Sequence, residues 1–185
     1  MSTAISSAFE LTFRAPNTSV AGPVRYTVGH CIEGAVLVAR SQIGVCAIFL
    51  GEDARKLKEQ LSEAFPSHSL EQADGELQHD LGDVAAFIDK RSDDGLLSLD
   101  IGGTPFQQRV WEALCDIPAG ETRSYAEVAA CVGAPEAVRA VASACAANLL
   151  AVAIPCHRVL RGDGAISGYR WGVERKRSLL AREHA

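Results

Sequence analysis

Residues 124–147 read SYAEVAACVGAPEAVRAVASACAA, and this stretch predicts two short helices joined by a turn. Ser124 and Glu127 fit a capping box, in which each side chain satisfies the other residue's backbone amide at a helix start. The first helix ends at Gly133, and Pro135 starts a second helix that continues to position 146 or 147. This pattern is typical of the helix-turn-helix of DNA-binding proteins, although plain helical hairpins share it.

The second predicted helix carries small side chains along nearly its whole length, and Arg139 is its one long cation. So smooth a helix can pack tightly within a protein core. It can also enter the narrow minor groove of DNA, with Arg139 projecting between bases. A helix that reads the major groove needs several long polar side chains instead. Both interpretations remain open on the residues alone.

Upstream, Thr104 and Pro105 predict another helix start, because a capping hydroxyl precedes a proline in the first helical position. Pro118 and Gly120 end that helix. Its apolar face consists of Phe106, Val110, Ala113, Leu114 and Ile117.

The first hundred residues have a different pattern, which predicts a sheet with helices packed against it. Strands are predicted at 24–28, 35–39, 43–50 and 96–101, the first three as an antiparallel meander. Helices are predicted at 52–65 and 77–88. Residues 1–22 are polar and interrupted by proline and glycine, which predicts a flexible N-terminal arm.

Charge is divided unevenly along the 185 residues, whose formal net charge is −5. Residues 1–100 hold 8 Lys/Arg and 15 Asp/Glu, a balance of −7, whereas residues 101–185 hold 10 and 8, a balance of +2. Phosphate groups respond to local clusters of charge, because salt screens beyond about 10 Å. The C-terminal half therefore permits a nucleic-acid partner, and the length fits one domain or two small ones.

Composition also excludes several classes of protein. No stretch approaches the roughly 20 apolar residues that cross a bilayer, so no membrane association is expected. The first residues predict no secretory signal, and the six cysteines lack a framework spacing, which indicates reduced thiols in the cytoplasm. His30, Cys31 and Cys46 lack the paired spacing of a structural zinc site, so no metal is expected.

The residues Pro155-Cys156-His157-Arg158-Val159 are the strongest candidate for chemistry. A reactive thiol needs neighbouring donors and cations, and Cys156 is followed by an imidazole and a guanidinium. Adjacent side chains point in different directions, so a bridging water is the expected proton route to His157, which then needs an orienting carboxylate. The competing interpretation is that Cys156 is a small buried apolar residue.

This stretch resembles the active-site signature of the O6-alkylguanine-DNA alkyltransferases, and the surrounding chain is most similar to the catalytic part of the family's Ada-type bacterial members. The similarity covers about 103–183 strongly, including residues 137–148, 161–164 and 167–172, and 24–100 more weakly. It implies an α/β N-terminal subdomain over 23–102 that is ribonuclease H-like, with a small antiparallel sheet. It implies an all-α, helix-turn-helix (winged-helix-like) subdomain over 103–185.

The resemblance implies a suicidal repair reaction without a cofactor. An O6-alkylated guanine is flipped out of duplex DNA, and its alkyl group is transferred to Cys156 once and irreversibly. His157 takes the thiol proton through water, Glu183 orients His157, Asn148 ties the active-site turn to the recognition helix, and Tyr125 crowds the adjacent phosphate. O4-methylthymine is a second expected substrate.

The same resemblance implies a monomer that binds double-stranded DNA through the minor groove, cytoplasmic and on the nucleoid when bound. Arg139 fills the gap in the base stack, and the backbone of Val159 and Arg170 reads the flipped base. The residues expected to contact DNA or the base are Arg139, Tyr125, Ala140, Ala142, Ser143, Val159, Tyr169 and Arg170.

Three functions remain to be distinguished. The first is this repair methyltransferase. The second is a non-enzymatic lesion sensor or Ada-like transcriptional regulator; the four-cysteine zinc domain of full Ada proteins is not among these residues, so Ada's switch is not supported. The third is a cysteine hydrolase built on Cys156 and His157, for which no oxyanion-hole motif is found.

Overall fold

The computed structural model describes residues 2–6, 9–90 and 97–184, with side chains from Phe9 onward. The chain divides into two compact units, Met1–Gly103 and Thr104–Ala185. The expected boundary, between residues 102 and 103, lies one residue earlier. No helix in the described ranges is both long and apolar enough to cross a membrane.

The first unit contains a seven-stranded mixed sheet with the order β1-β2-β7-β5-β4-β3-β6. Its strands are β1 (Ser2–Ser6), β2 (Phe9–Phe13), β3 (Val24–Cys31), β4 (Gly34–Arg40), β5 (Val45–Gly51), β6 (Leu70–Gln72) and β7 (Leu97–Ile101). β3, β4 and β5 pair antiparallel in sequence, so the predicted meander is confirmed. β4 and β5 are buried almost throughout, which explains their unbroken apolar runs.

The expectation of a loose arm over residues 1–22 is wrong, because this segment contributes β1 and β2. β1 pairs antiparallel with β2, and β2 runs parallel to β7. The overlooked signal is an alternation of period two, in which Phe9, Leu11 and Phe13 are buried while the residues between them are half-buried. The sheet is also neither small nor purely antiparallel, since β2/β7, β3/β6 and β5/β7 are parallel pairs.

Both predicted helices of this unit are confirmed, as α1 (Ala54–Ala64) and α2 (Gln78–Ile88). The Asp53 side chain caps α1 by accepting from the backbone of Arg55 at 2.7 Å. Each helix buries apolar residues at helical spacing, with Leu57 and Leu61 in α1 and Val84 and Ile88 in α2.

The second unit is mainly helical. It contains α3 (Pro105–Cys115), β8 (Arg123–Ser124), α4 (Tyr125–Cys131), α5 (Val138–Ala147), a 3-10 turn (Cys156–Arg158), β9 (Val159–Leu160) and α6 (Val173–Glu183). The expectation of an all-α unit is corrected by β8 and β9, which pair in parallel. This pairing sets the N-cap of α4 beside the chain that leaves the 3-10 turn, because Ser124 lies opposite Leu160.

The predicted start of α3 is confirmed, whereas the predicted start of α5 is not. α3 begins as expected, with a capping box between Thr104 and Gln107 and proline in the first turn. α5 begins three residues later than expected, because residues 134–137 form a turn in which the backbone of Ala137 donates to Ala134 at 2.8 Å. Proline at 135 fits that turn equally well, since its φ suits both conformations.

Candidate active site

The helix pair α4–α5 presents one buried and one exposed face. The capping box of α4 is confirmed, because Ser124 Oγ accepts from the Glu127 amide at 3.2 Å and Glu127 Oε2 accepts from the Ser124 amide at 2.6 Å. The buried residues of α5 are Val141, Ala144 and Cys145. Exposed on the other side are Arg139, Ala140 and Ser143, with Ala142 half-buried. The helix is therefore partly a core helix and partly a smooth surface with a single cation.

The chain between α5 and the 3-10 turn is tightly folded. Val152 has a φ of +60°, and the Ala153 amide donates to the Ala151 carbonyl at 2.7 Å across it, which is a γ-turn of the rare, strained kind. A second, unstrained γ-turn follows at Pro155, across which the Cys156 amide donates to Ile154 at 2.8 Å. A branched residue with positive φ costs on the order of 1–3 kcal/mol and persists only where its surroundings hold it.

Asn148 provides that hold. It is fully buried at the C-terminal end of α5, and its Nδ2 donates to the carbonyls of Leu150 (3.3 Å) and Ile154 (2.9 Å). Its Oδ1 accepts from the Leu150 amide at 2.8 Å. The same Nδ2 also lies 3.3 Å from Cys156 Sγ. One amide side chain therefore joins α5, the strained turn and the thiol.

The Cys156 thiol is 3% exposed. Burial raises the pKa of Cys156 to about 11, against the opposing effects of the Asn148 hydrogen bond and the Lys176 ammonium. The resting group is thus the neutral thiol, and it can act as a nucleophile only when a neighbouring base receives its proton.

His157 and Glu183 form a buried pair beside this thiol. His157 Nε2 lies 2.8 Å from Glu183 Oε1, and the imidazole is fully buried. Burial raises the pKa of Glu183, but hydrogen bonds from His157 and Arg158 outweigh it and lower the pKa to about 2. Because the carboxylate is charged, Nε2 carries the proton and Nδ1 has the free lone pair.

The free nitrogen of His157 is placed to act as a base. Its Nδ1 is buried without a hydrogen-bond partner among the residues that the structure describes. Burial also lowers the pKa of His157, which keeps the imidazole neutral. A neutral imidazole with an open Nδ1 can accept a proton, directly or through one water.

Tyr125 belongs to a second, partly buried network. Its hydroxyl lies 2.6 Å from Ser167 Oγ, which also accepts from Lys176 Nζ at 3.3 Å. Lys176 is fully buried and donates to the Val159 carbonyl at 2.5 Å. Burial raises the pKa of Tyr125, so its hydroxyl stays protonated and able to donate. The network connects Tyr125 to the backbone that follows Cys156.

Tyr169 and Arg170 lie on either side of this region. The half-buried Tyr169 ring packs edge-on against His157 at 6.4 Å and against Trp171 at 5.1 Å between centroids. The exposed Arg170 donates from Nη1 to the Ala146 carbonyl at the end of α5, at 3.2 Å. The Arg170 side chain therefore contacts the helix, a contact that the sequence did not predict.

Sequence reasoning missed Lys176, Ser167 and the contact of Arg158 with Glu183. For Lys176 a signal existed, because the spacing 176-179-180-183 places it on the same face of α6 as Leu179, Leu180 and Glu183. A lysine on an apolar helical face indicates a buried ammonium. Within the described ranges, no group of three or more His, Cys, Asp and Glu could hold a metal ion.

The depressed pKa of Glu183 predicts a specific pH dependence of stability. An unfolded glutamate titrates near 4.5 and the folded one near 2, so the carboxylate stabilises the fold above about pH 4.5 and loses this effect as the pH falls to about 2. In urea denaturation across this range, Glu183→Gln should unfold more easily than wild type at neutral pH, and the gap should close on acidification. Glu174→Gln, at an exposed ion pair on α6, is the control and should show little change. A gap that stays constant down to pH 2 contradicts the prediction.

The chain is similar to known proteins. The family model described as 6-O-methylguanine DNA methyltransferase, DNA binding domain, matches residues 105–185. The bifunctional transcriptional activator/DNA repair enzyme Ada of Escherichia coli is 54% identical over 160 residues, which cover 86% of this chain and 45% of Ada. The inducible methylated-DNA–protein-cysteine methyltransferase of Bacillus subtilis is 35% identical over 136 residues, which cover 72% of this chain and 76% of that enzyme.

The chain is also similar in structure to solved proteins. The Mycobacterium tuberculosis OGT in complex with DNA superposes with a TM-score of 0.73 at 34% identity, covering 86% of this chain and 92% of that one. The chain spans about half the length of the Ada relatives it matches. Because it is similar to 92% of the solved OGT chain and to 76% of the B. subtilis enzyme, each at more than 30% identity, the chain belongs to the O6-methylguanine-DNA methyltransferase family.

Proposed function

We propose that this chain repairs O6-alkylguanine in double-stranded DNA by transferring the alkyl group to its own Cys156, as a methylated-DNA–[protein]-cysteine S-methyltransferase. One observation carries the proposal: in a chain of this family, the Cys156 thiol, held by Asn148, lies in the same turn as His157, which is paired with Glu183 of α6. DNA repair and cysteine methylation are what the names of the relatives state.

The chemical step uses only groups of the protein and the lesion. Sulfur attacks the alkyl carbon, a carbon–sulfur bond forms, and the carbon–oxygen bond to guanine breaks. The thiol proton passes through water to Nδ1 of His157, and the departing guanine takes up a proton, so the balance is one thiol hydrogen exchanged for one alkyl group. The resulting thioether is not reversed by cellular thiols, unlike a disulfide, so one chain repairs one lesion.

The DNA side of the proposal rests on α5. Its exposed small residues Ala140 and Ser143, with half-buried Ala142, allow close approach to the minor groove. Arg139 enters the stack in place of the flipped base, and this offsets an unstacking cost of a few kcal/mol. Tyr125 crowds the neighbouring phosphate. Val159, Tyr169 and Arg170 contact the base, and the related OGT structure with DNA supports this partner.

Further properties belong to the same proposal. The first unit is ribonuclease H-like, and α4–α5 form the helix-turn-helix of a winged-helix-like unit. The protein acts as a monomer in the cytoplasm, on the nucleoid when bound to DNA, and it also accepts O4-methylthymine. No cofactor takes part, because the lesion supplies the alkyl group and guanine is the leaving group.

Mass spectrometry tests the proposed function directly. After incubation with a duplex that contains one O6-methylguanine, we expect one added methyl group on the peptide that contains Cys156 and no further reaction with fresh duplex. An unmodified duplex is the control. Sustained turnover, or methylation of another cysteine instead, would contradict the proposal.

The same experiment separates the alternatives. A lesion sensor or transcriptional regulator binds the methylated duplex and leaves every cysteine unmodified; the regulatory role is named for the E. coli relative. A cysteine hydrolase turns over acyl substrates and does not require a duplex.

A further inference from the structure

Arg158 contacts both the Glu183 carboxylate and the backbone of Ile117, and no sequence pattern predicted these contacts. Its Nη2 donates to Glu183 Oε1 at 2.8 Å, and its Nε donates to Oε2 at 3.0 Å. At the other end of the guanidinium, Nη1 donates to the Ile117 carbonyl at 2.5 Å. The Arg158 side chain is 13% exposed, so these contacts lie largely away from solvent.

We propose that Arg158 is a positioning residue for the methyl transfer: it fixes the Glu183 carboxylate on His157 and shares its negative charge, so that the imidazole remains neutral and can accept the Cys156 proton. This inference rests on the proposed function. It adds that Arg158 keeps His157, the proposed general base, neutral and correctly oriented.

The geometry supports the positioning part. Glu183 is the last residue of α6, where helices fray, so its side chain needs an anchor from outside the helix. Oε1 accepts from both His157 and Arg158 at 2.8 Å, and Oε2 accepts from Arg158 and from the Gly120 amide at 3.4 Å. Bidentate guanidinium–carboxylate pairs fix orientation as well as charge. Arg158 is itself held by Ile117, just beyond α3, so the carboxylate cannot turn away easily.

The charges around His157 determine the sign of the effect. Burial lowers the pKa of His157, Glu183 on α6 raises it, and the cations Arg158 in the same turn and Lys176 on α6 lower it. The Tyr169 ring, which packs edge-on against His157, is uncharged. Without Arg158, the Glu183 charge acts on His157 alone and favours imidazolium, which cannot accept a proton. Arginine stays protonated at all relevant pH values, so this effect is constant.

The test compares wild type, Arg158→Gln and Arg158→Lys in the full chain. NMR titration follows the His157 ring, and single-turnover methyl transfer is measured from about pH 6 to pH 9. We expect Arg158→Gln to raise the His157 midpoint by about one pH unit. Its deficit in rate should be larger at the acidic end than at the basic end, approaching the tenfold limit of a one-unit shift only below both midpoints, because imidazolium is inactive.

Arg158→Lys separates charge from geometry. Lysine keeps the positive charge, so the His157 midpoint should stay near that of wild type. An ammonium cannot donate two parallel hydrogen bonds to the carboxylate, so the plateau rate should fall about tenfold. Arg25→Gln, which removes an ion-paired arginine of the first unit, is the control and should change neither the midpoint nor the rate.

The outcomes show whether Arg158 controls the protonation of His157 or has a merely structural role. An Arg158→Gln protein with the wild-type midpoint and pH profile overturns the proposal, whatever its stability. If that variant does not fold, a wild-type plateau rate for Arg158→Lys overturns it. Absence of methyl transfer by wild type would instead overturn the proposed function, and the titration would still show whether Arg158 controls His157.

Discussion

We expect Cys156→Ala to abolish methyl transfer and to leave binding to the methylated duplex within about twofold of wild type, because the sulfur is the proposed acceptor and the binding contacts are proposed to lie on α5. The substitution removes one buried atom and, with it, the hydrogen bond that Sγ accepts from Asn148. We expect a loss of stability of about 1 kcal/mol, small beside the loss of reactivity. Transfer is measured with radiolabelled duplex, and binding by a gel-shift titration at fixed salt.

The matched control is Cys46→Ala. Cys46 is equally buried, at 3% exposure, but it lies in β5 of the first unit. It should lose similar stability and retain full methyl transfer. Residual transfer by Cys156→Ala would place the acceptor elsewhere, and loss of transfer in both variants would mean that the assay reports folding.

Asn148→Ala has the second largest expected effect, and it acts on the fold and on the reaction together. Alanine leaves the Leu150 amide and two carbonyls without their partner, and it removes the donor to Cys156. At about 1 kcal/mol for each of the three lost hydrogen bonds to the backbone, and less for the weak one to sulfur, we expect a destabilisation of about 3 kcal/mol. Without this anchor the strained turn at Val152 relaxes and Cys156 moves, so transfer should slow at least about tenfold.

Asn148→Asp tests which part of the amide matters. Aspartate keeps the acceptor for the Leu150 amide. It also replaces the Nδ2 donor by an oxygen, which is repelled by the carbonyls of Leu150 and Ile154 and cannot donate to Cys156 Sγ. It should be destabilised at least as strongly as the alanine variant, because a buried charge with the Leu150 amide as its retained donor is still costly. Denaturant unfolding and single-turnover transfer measure both effects. If the free energy of unfolding of the alanine variant falls by less than about 1 kcal/mol, the turn does not depend on Asn148.

Local sequence signals predicted the elements well wherever the controlling contacts lie within a few residues. The capping pairs Thr104/Gln107 and Ser124/Glu127 form between residues three apart, so the helix starts could be predicted from the sequence. The start of α5 could not, since proline suits a turn as well as a first helical turn. The strand β2 was overlooked although its alternation of period two is local, whereas its pairing with β7, almost ninety residues later, had no local signal.

The site divides in the same way. From its residue types and their order, the sequence by itself determined a helix pair with one smooth face and a thiol followed by an imidazole. Only the tertiary structure decided that Arg158 and His157 share one carboxylate, that Lys176 is buried beside Val159, and that Asn148 holds the turn to the thiol. The physical reason is that residue types and short spacings control local backbone geometry. Burial and charge pairing arise from contacts between segments distant in the chain, and these exist only once the core has formed.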